Sequence, residues 1–565
     1  MLTAAILFNP YTTNAENNKE ILSPVEMKED IDFLVEKIMN TYPTLINGYN
    51  DEQTRIIAGV YQKIQEPLPL KTFYYYANEI IVSLKCGHSY LSKPYMGSYY
   101  WLNIPFAWLD EGLFVTRDLG QYLKGDRSVS LGGKKENELF EGLRSIIPSE
   151  NNFSIKYKAR EELVFSWTLE HMGLVNDNGN IEVVIERNGN ILNLETPLER
   201  KQLFRNKQTR NWCSWDIEIE NSLGVFFLDR CGSGDFYSKE LKKFFEEVKR
   251  NNIKNIALDL RNNVGGTNNC TFEFIEYLNV DEFLVYAYEI RNNEVVKARL
   301  MEEGKISERD EMQRDSRMRK NNKKEIVFDG NVFVLTSANT WSASTLWAYL
   351  FQKNNIGILV GEPTGNSPSN CGSIISYVLP NSRLTACIAY KAITWPGTEI
   401  GSPDSVYPDM YITTTSFDLK HNLDPQLEII RKRNEQDSYK EINLFLDEPI
   451  IQILTNQGIK YKRLNTVPQN PRDITLIPLR GVLETFDASV IWDAKTKNVI
   501  IKRNNLEVIL TIDSKIAKVN GRDIPLSEPT QIIKDTTLVP LRFISETVGL
   551  QVDWFEQEER IKIMT

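Results

Sequence analysis

Three short stretches of this chain hold residue types that together suit nucleophilic acyl transfer. The chain has three histidines, His88, His171 and His421, so a histidine general base must be one of these. His88 lies in Cys86-Gly87-His88-Ser89, a tight turn after an apolar helical pattern, where a side chain is held rigidly. His171 falls in an amphipathic segment and His421 in a polar stretch before a helix; any of the three also reads as a plain structural or exposed side chain. The second stretch is NVFVLTSANTWSASTLWAYLFQK (331–353), where a strand pattern ends in a turn and Ser342 opens a helix. Backbone N–H groups at such a helix start carry partial positive charge and suit a nucleophile beside an oxyanion site. The same placement also suits a serine, Ser342 or Ser344, that only caps the helix. In the third stretch, LDLRNNVGGT (258–267), a buried strand pattern runs into Gly265-Gly266. Paired glycines allow close backbone approach, so their amides can donate to a developing oxyanion, or they form an ordinary turn.

The elements that must position these residues follow from periodicity. Residues 1–24 read as a leader, the remnant of a signal peptide without its basic start. Residues 25–95 read as a helical segment carrying His88. Ile31, Leu34, Ile38 and Met39 share one face of a helix over 27–42, bracketed by Pro24 and Pro43, and a second helix covers 72–84. Residues 96–205 mix strands with a helix; NIEVVIERNG closes on an Asn-Gly hairpin turn, and the order of elements resembles part of a PDZ-like module. Residues 206–435 alternate apolar strand runs with helical patterns, which predicts a mainly parallel sheet in an α/β core. Residues 440–565 contain an internal repeat, 474–502 against 536–564, offset by 62 residues so that Pro478, Arg480 and Trp492 match Pro540, Arg542 and Trp554. Two copies of a small α+β unit follow from it. The fold class expected is therefore multidomain α/β and α+β.

The motifs and their order resemble the tricorn-core and C-terminal-processing serine peptidases over residues 25–435. CGHS resembles their Asp-Gly-His-Thr, DLRNNVGG their Asp-Leu-Arg-x-Asn-x-Gly-Gly, and TWSAST their nucleophile segment. GEPTG (361–365), LPNSRLT (379–385) and YPDMYI (407–412) match segments that follow. The resemblance implies a ClpP/crotonase-like α/β protease core, with Ser342, 19 residues before Gly361, as nucleophile. It offers two bases. The lysine of one branch is missing, since no lysine lies between Lys353 and Lys391. The Ser-His-Glu branch fits, with His88 as base and Glu399, 57 residues after Ser342, as the orienting acid; Asp404 is the fallback. Gly265, Gly266 and Ala343 would supply the oxyanion amides. Cys86 stands where an acidic residue is usual, and Thr345 where a glutamate is, which bears on substrate preference. An inactive binding scaffold on the same fold is the alternative.

The C-terminal repeat resembles the stalk domain named after the N-terminal domain of copper amine oxidases. Such domains are typical of exported bacterial proteins, so the resemblance implies secretion or surface display, with cell-wall or self-association through the stalk. That segment has no histidine or cysteine, so no copper site is expected, and the acyl-transfer mechanism requires no other cofactor or metal. The six cysteines form no CxxC pair and no zinc spacing; buried free thiols are the simplest reading, with one or two disulfides open in an oxidising compartment. A net charge of −10 without a basic block gives no nucleic-acid footprint, and no run of about 20 apolar residues marks a membrane span. The partner expected is a polypeptide substrate.

Overall fold

The computed structural model describes residues 20–93, 98–202, 211–291, 293–302, 317–434, 439–455, 457–470, 474–533 and 536–565. Most of the leader read over 1–24 lies outside these. The chain divides into two compact units, 1–420 and 421–565.

In the first unit a six-stranded sheet runs in the order Cys213–Glu218, Leu223–Leu228, Asn255–Asp259, Asn331–Thr336, Ile358–Gly361, Met410–Tyr411. The first pair is antiparallel and the others parallel, as strand–helix alternation requires. Asn255–Asp259 is buried along its whole length, the signature of a central strand covered on both faces. Helix Asp235–Arg250 turns Tyr237, Leu241, Phe244, Phe245 and Val248 inward. Phe245 stacks on Tyr277, and Phe274 meets Trp347 edge-on. Each fully buried ring of this kind contributes about 2–3 kcal/mol.

The N-terminal helices Pro24–Thr41, Asp51–Lys63 and Leu70–Val82 pack in a core shared with the antiparallel strands Cys371–Val378 and Thr385–Thr394. Ser23 and Glu26 form a reciprocal capping box at the first helix, with Pro24 in its first turn. Buried Asp30 accepts from Asn381 N–H (2.7 Å) and Ser382 N–H (2.8 Å), tying that helix to the turn between the two strands. After the third helix the chain turns through 86–89 and pairs Tyr90–Ser92 against Thr385–Cys387.

Residues 106–197 form an antiparallel sheet with helices Glu136–Arg144 and Asn152–Glu162. The Asn-Gly hairpin expected at 188–189 is present, both residues at positive φ (51° and 81°), joining Asn180–Arg187 to Asn190–Pro197. All six cysteines are free and buried.

The second unit contains two five-stranded antiparallel sheets and one of three strands. Leu476–Pro478 runs into helix Leu479–Leu483, and Thr536–Pro540 runs into helix Leu541–Thr547, at the matching Pro-Leu positions of the sequence repeat. No helix of the described residues is long and apolar enough to cross a membrane.

Candidate active site

Strand Asn331–Thr336 ends at the sheet's carboxyl edge, and the chain turns before helix Ala343–Lys353. At that turn Ser342 has φ 59° and ψ −123°, outside the regions a non-glycine residue prefers. The strain is held by a network: Trp341 N–H donates to Asn263 O (3.0 Å) and Thr340 Oγ1 to Leu260 O (2.8 Å). Ser342 N–H donates to the buried Asn366 Oδ1 (2.9 Å), which also accepts from Thr345 Oγ1 (2.7 Å). The capping alternative divides between the two serines. Ser344 Oγ accepts from Trp341 N–H (2.8 Å), whereas Ser342 makes no side-chain cap. The Ser342 hydroxyl meets His88 Nε2 at 2.9 Å instead.

The imidazole reaches it from the 86–89 turn. Ser89 N–H donates to Cys86 O (3.1 Å), and Ser89 Oγ accepts from Ala389 N–H (3.1 Å), which fixes the turn to the core. The ring lies 3.9 Å from that of Trp341, centroid to centroid, and is 4% exposed. Burial, with the Lys158 ammonium adding to it, holds its pKa down to about 3, so the ring is neutral at pH 7 and able to accept a proton. The other two histidines are elsewhere: His171 stacks on Tyr75, and His421 stacks on Phe445 in the second unit.

The glycine pair comes up against this turn, and its two members differ. Gly265 N–H already donates to Asn263 Oδ1 (2.9 Å), so it is not available as the oxyanion donor expected of it. Its use is space: a Cβ there would stand 2.7 Å from Ser342 Cβ and 2.9 Å from Ala343 N. Gly266 takes φ +141°, and a Cβ on it would meet Cys231 O at 2.2 Å. Among the described residues neither Gly266 N–H nor Ala343 N–H makes a hydrogen bond, so both can face an incoming oxyanion.

Glu399 is not brought to His88. It is exposed, in a turn whose backbone closes on itself, Glu399 N–H to Ser402 O (3.1 Å) and Ser402 N–H to Glu399 O (2.9 Å). The Asp404 carboxylate accepts from Tyr407 Oη (2.9 Å). His88 Nδ1 is buried and, among the described residues, has no hydrogen-bond partner. The carboxyl near it is Glu150, in a loop that carries no motif. An imidazole nitrogen, a Glu150 oxygen and Cys86 Sγ lie within 4.8 Å of one another. These are metal-ligand types, but burial, with the Glu150 charge, pushes the Cys86 thiol up to about 11, which disfavours the thiolate a metal takes. Beside the pair opens a cavity of about 210 Å³ lined in part by Gly87, Ile147, Lys158, Val264, Asn339 and Trp341.

Residues 234–410 match the family model described as Peptidase family S41, and residues 456–563 the one described as Copper amine oxidase N-terminal domain. Two solved structures of mature CPAF resemble the chain. The one complexed with lactacystin has TM-score 0.53 at 12% identity, covering 72% of this chain and 98% of that one. The other has TM-score 0.53 at 11% identity, covering 72% and 96%. The photosystem II D1 C-terminal processing protease follows at TM-score 0.37 and 15% identity, covering 69% and 95%. At such identities the likeness to the two CPAF structures is one of fold. No curated protein sequence matches the chain.

Proposed function

From a core that is a serine-peptidase domain of family S41, we propose that the chain hydrolyses polypeptides through an acyl-enzyme on Ser342. The observation that carries this is the 2.9 Å contact between His88 Nε2 and Ser342 Oγ on a strained strand-to-helix turn. Ser342 Oγ attacks the scissile carbonyl carbon as its proton passes to His88 Nε2. The tetrahedral oxyanion takes hydrogen bonds from Gly266 N–H and Ala343 N–H, each worth about 3 kcal/mol. Collapse expels the amine, which takes the proton from His88. Water, deprotonated by His88, then cleaves the ester. Two carboxyls compete for the place behind the imidazole: Glu399, which the resemblance implies, and Glu150, which stands near the ring.

Around this core, the proposal takes the 96–205 segment as a PDZ-like module that presents polypeptide, and the repeat at 440–565 as a duplicated stalk. Such a stalk is typical of exported proteins, which supports action at the cell surface or outside it, with wall or self-association through that domain.

The test is cleavage of denatured casein by the purified chain beside Ser342→Ala and His88→Ala, with fluorophosphonate labelling in parallel. Loss of nearly all rate in both variants, with labelling confined to chains that keep Ser342, is expected. A wild-type chain inert in both assays would refute the peptidase reading in favour of a binding scaffold.

A further inference from the structure

We infer that Glu150 is the carboxylate that positions His88 for catalysis, in the place the resemblance gives to Glu399. This rests on the peptidase reading above. For Nε2 to accept the Ser342 proton, the imidazole must carry its own proton on Nδ1, and that N–H needs an acceptor. Nδ1 is buried, and no group of the described residues bonds to it. Both oxygens of Glu150 are buried as well; among the described residues neither meets a donor at full hydrogen-bond geometry, the Gly87 and Glu150 backbone N–H groups bearing on the carboxylate more weakly. An imidazole nitrogen of His88 and an oxygen of Glu150 stand within 4.8 Å of one another. A hydrogen bond of about 2.8 Å requires the carboxyl to close by at most about 2 Å, and such bonds tighten when substrate binds.

The surroundings hold Glu150 in place for this. Asn151 Nδ2 donates to Thr364 O (3.1 Å) and Asp404 O (2.8 Å), pinning the Glu150 loop to the core beside the nucleophile turn. Gly87 leaves the approach open, since a Cβ there would lie 3.2 Å from Glu150 Oε2 and 3.0 Å from the Trp341 ring. The Lys158 ammonium comes to the same point, 3.5 Å from that Cβ position, and donates to Pro148 O (3.1 Å). Cys86 is no rival acceptor, because its thiol is directed at Cys371 O (3.5 Å). Lys158 alone would oppose a charged imidazole; an ionised Glu150 offsets it and stabilises the imidazolium that forms when Ser342 attacks. Burial pushes the Glu150 carboxyl up to about 7 against the pull of Lys158. The groups that face it are Lys158, His88, Cys86 and Cys371, and Glu161 and Glu162 face Lys158 in turn.

Activity therefore rises as Glu150 loses its proton, which gives kcat/KM an acid limb near pH 7. Glu150→Gln is expected to lower kcat by about 10²–10⁴-fold with KM within about threefold, and to abolish that limb. Glu150→Asp restores part of the rate, and Glu399→Gln loses less than Glu150→Gln. Should the Gln variant fail to fold, the pH profile of fluorophosphonate labelling of the wild-type chain still decides. A profile flat from pH 5 to 8, an unchanged acid limb in Glu150→Gln, or a larger loss in Glu399→Gln would each overturn the assignment. EDTA is expected to leave the rate unchanged, whereas a loss restored by added zinc would make the Cys86–His88–Glu150 cluster a metal site instead. The peptidase reading fails separately: only a wild-type chain both inert and unlabelled sinks it, and a chain killed by Ser342→Ala but not by Glu150→Gln sinks this inference alone.

Discussion

Gly265→Ala offers the sharpest test of how the nucleophile is held. The added Cβ would sit 2.7 Å from Ser342 Cβ, 2.8 Å from Trp341 O and 2.9 Å from Ala343 N. Carbon atoms in contact rest about 3.5–4 Å apart, so something must retreat by about 1 Å. Two of the three obstacles are backbone, so no rotamer change relieves the clash. The turn must move, and Ser342 Oγ and Ala343 N–H move with it. A misplacement of about 1 Å costs about 10²-fold in rate. Alanine at φ +98° adds strain of about 1–3 kcal/mol. Gly189 isolates that second effect. It takes φ +81° in the hairpin turn with nothing within 4 Å of its Cβ position, so Gly189→Ala carries the strain without the clash. The assay pairs kcat/KM on a peptide reporter with the fluorophosphonate labelling rate and a thermal melt. Gly265→Ala should lose about 10²-fold in both rates, and Gly189→Ala should lose stability alone. Labelling of Gly265→Ala within about threefold of wild type, against the 10²-fold expected, would refute the claim that this glycine makes room for the nucleophile turn.

Three further outcomes follow from the same contacts. Asn366→Ala strands the part-buried Ser342 N–H, while the Thr345 hydroxyl keeps Thr340 O (2.9 Å) as its acceptor; one orphaned donor costs about 1–3 kcal/mol, so urea unfolding should show a loss of about 1–3 kcal/mol together with slower labelling. Glu150 carries the opposite sign for stability: its folded pKa, near 7, is raised from 4.5, so the carboxyl costs stability as pH climbs through that window. Glu150→Gln should melt higher than wild type at pH 8, by up to about 3 kcal/mol, with the difference vanishing near pH 4. In the second unit, desolvation of Glu441 is outweighed by Tyr439 Oη (2.6 Å), Lys432 Nζ (3.1 Å) and Lys562 Nζ (3.4 Å), and its pKa is lowered. Its contribution is present above the ordinary carboxylate pKa and fades as pH falls through the lowered one; Glu441→Gln should cost about 3 kcal/mol at pH 7, with the gap to wild type closing in acid.

What could be read from the sequence divides by range of interaction. The helix at 24–41, the Asn-Gly hairpin and the buried central strand are set by local periodicity and turn chemistry, and each stands where the pattern puts it. Ser342 and His88 lie 254 positions apart, and no periodicity joins them; they were legible because each sits on a turn of special composition. Gly265 and Gly266 were legible as a pair but not as individuals, since which amide is free depends on where Asn263 Oδ1 points. Asn366 falls in the GEPTGNSPSN stretch, which stood out for its missing lysine, yet nothing local assigns its side chain to Ser342 N–H. Glu150 had no signal at all. Its place beside His88 comes from the packing of its loop on the core, and the family resemblance implied Glu399.

The way His88 is delivered says what the catalytic unit must contain. Residues 234–410 hold Ser342, Gly266 and Asn366, yet His88, the proposed base, enters from outside that stretch. Two devices hold it there: Tyr90–Ser92 adds a strand to Thr385–Cys387, and Asp30 clasps the backbone of Asn381 and Ser382. One hydrophobic core, from Leu22 to Tyr390, runs through the N-terminal helices, the 106–197 sheet and the strands 371–394. The Glu150 loop is fastened across the same boundary, through Asn151 to Thr364 and Asp404. The N-terminal helices and the 106–197 sheet are therefore parts of the site rather than appendages to it. A fragment limited to the family-matching stretch would keep Ser342, the proposed nucleophile, but lose His88, expose the apolar face of strands 371–394, and free the loops at 364 and 404. Any displacement that slides the helical segment along Thr385–Thr394 moves the His88 ring relative to Ser342. Because a 2.9 Å hydrogen bond weakens steeply with distance and angle, packing changes remote from the turn reach the His88–Ser342 contact through that strand pairing.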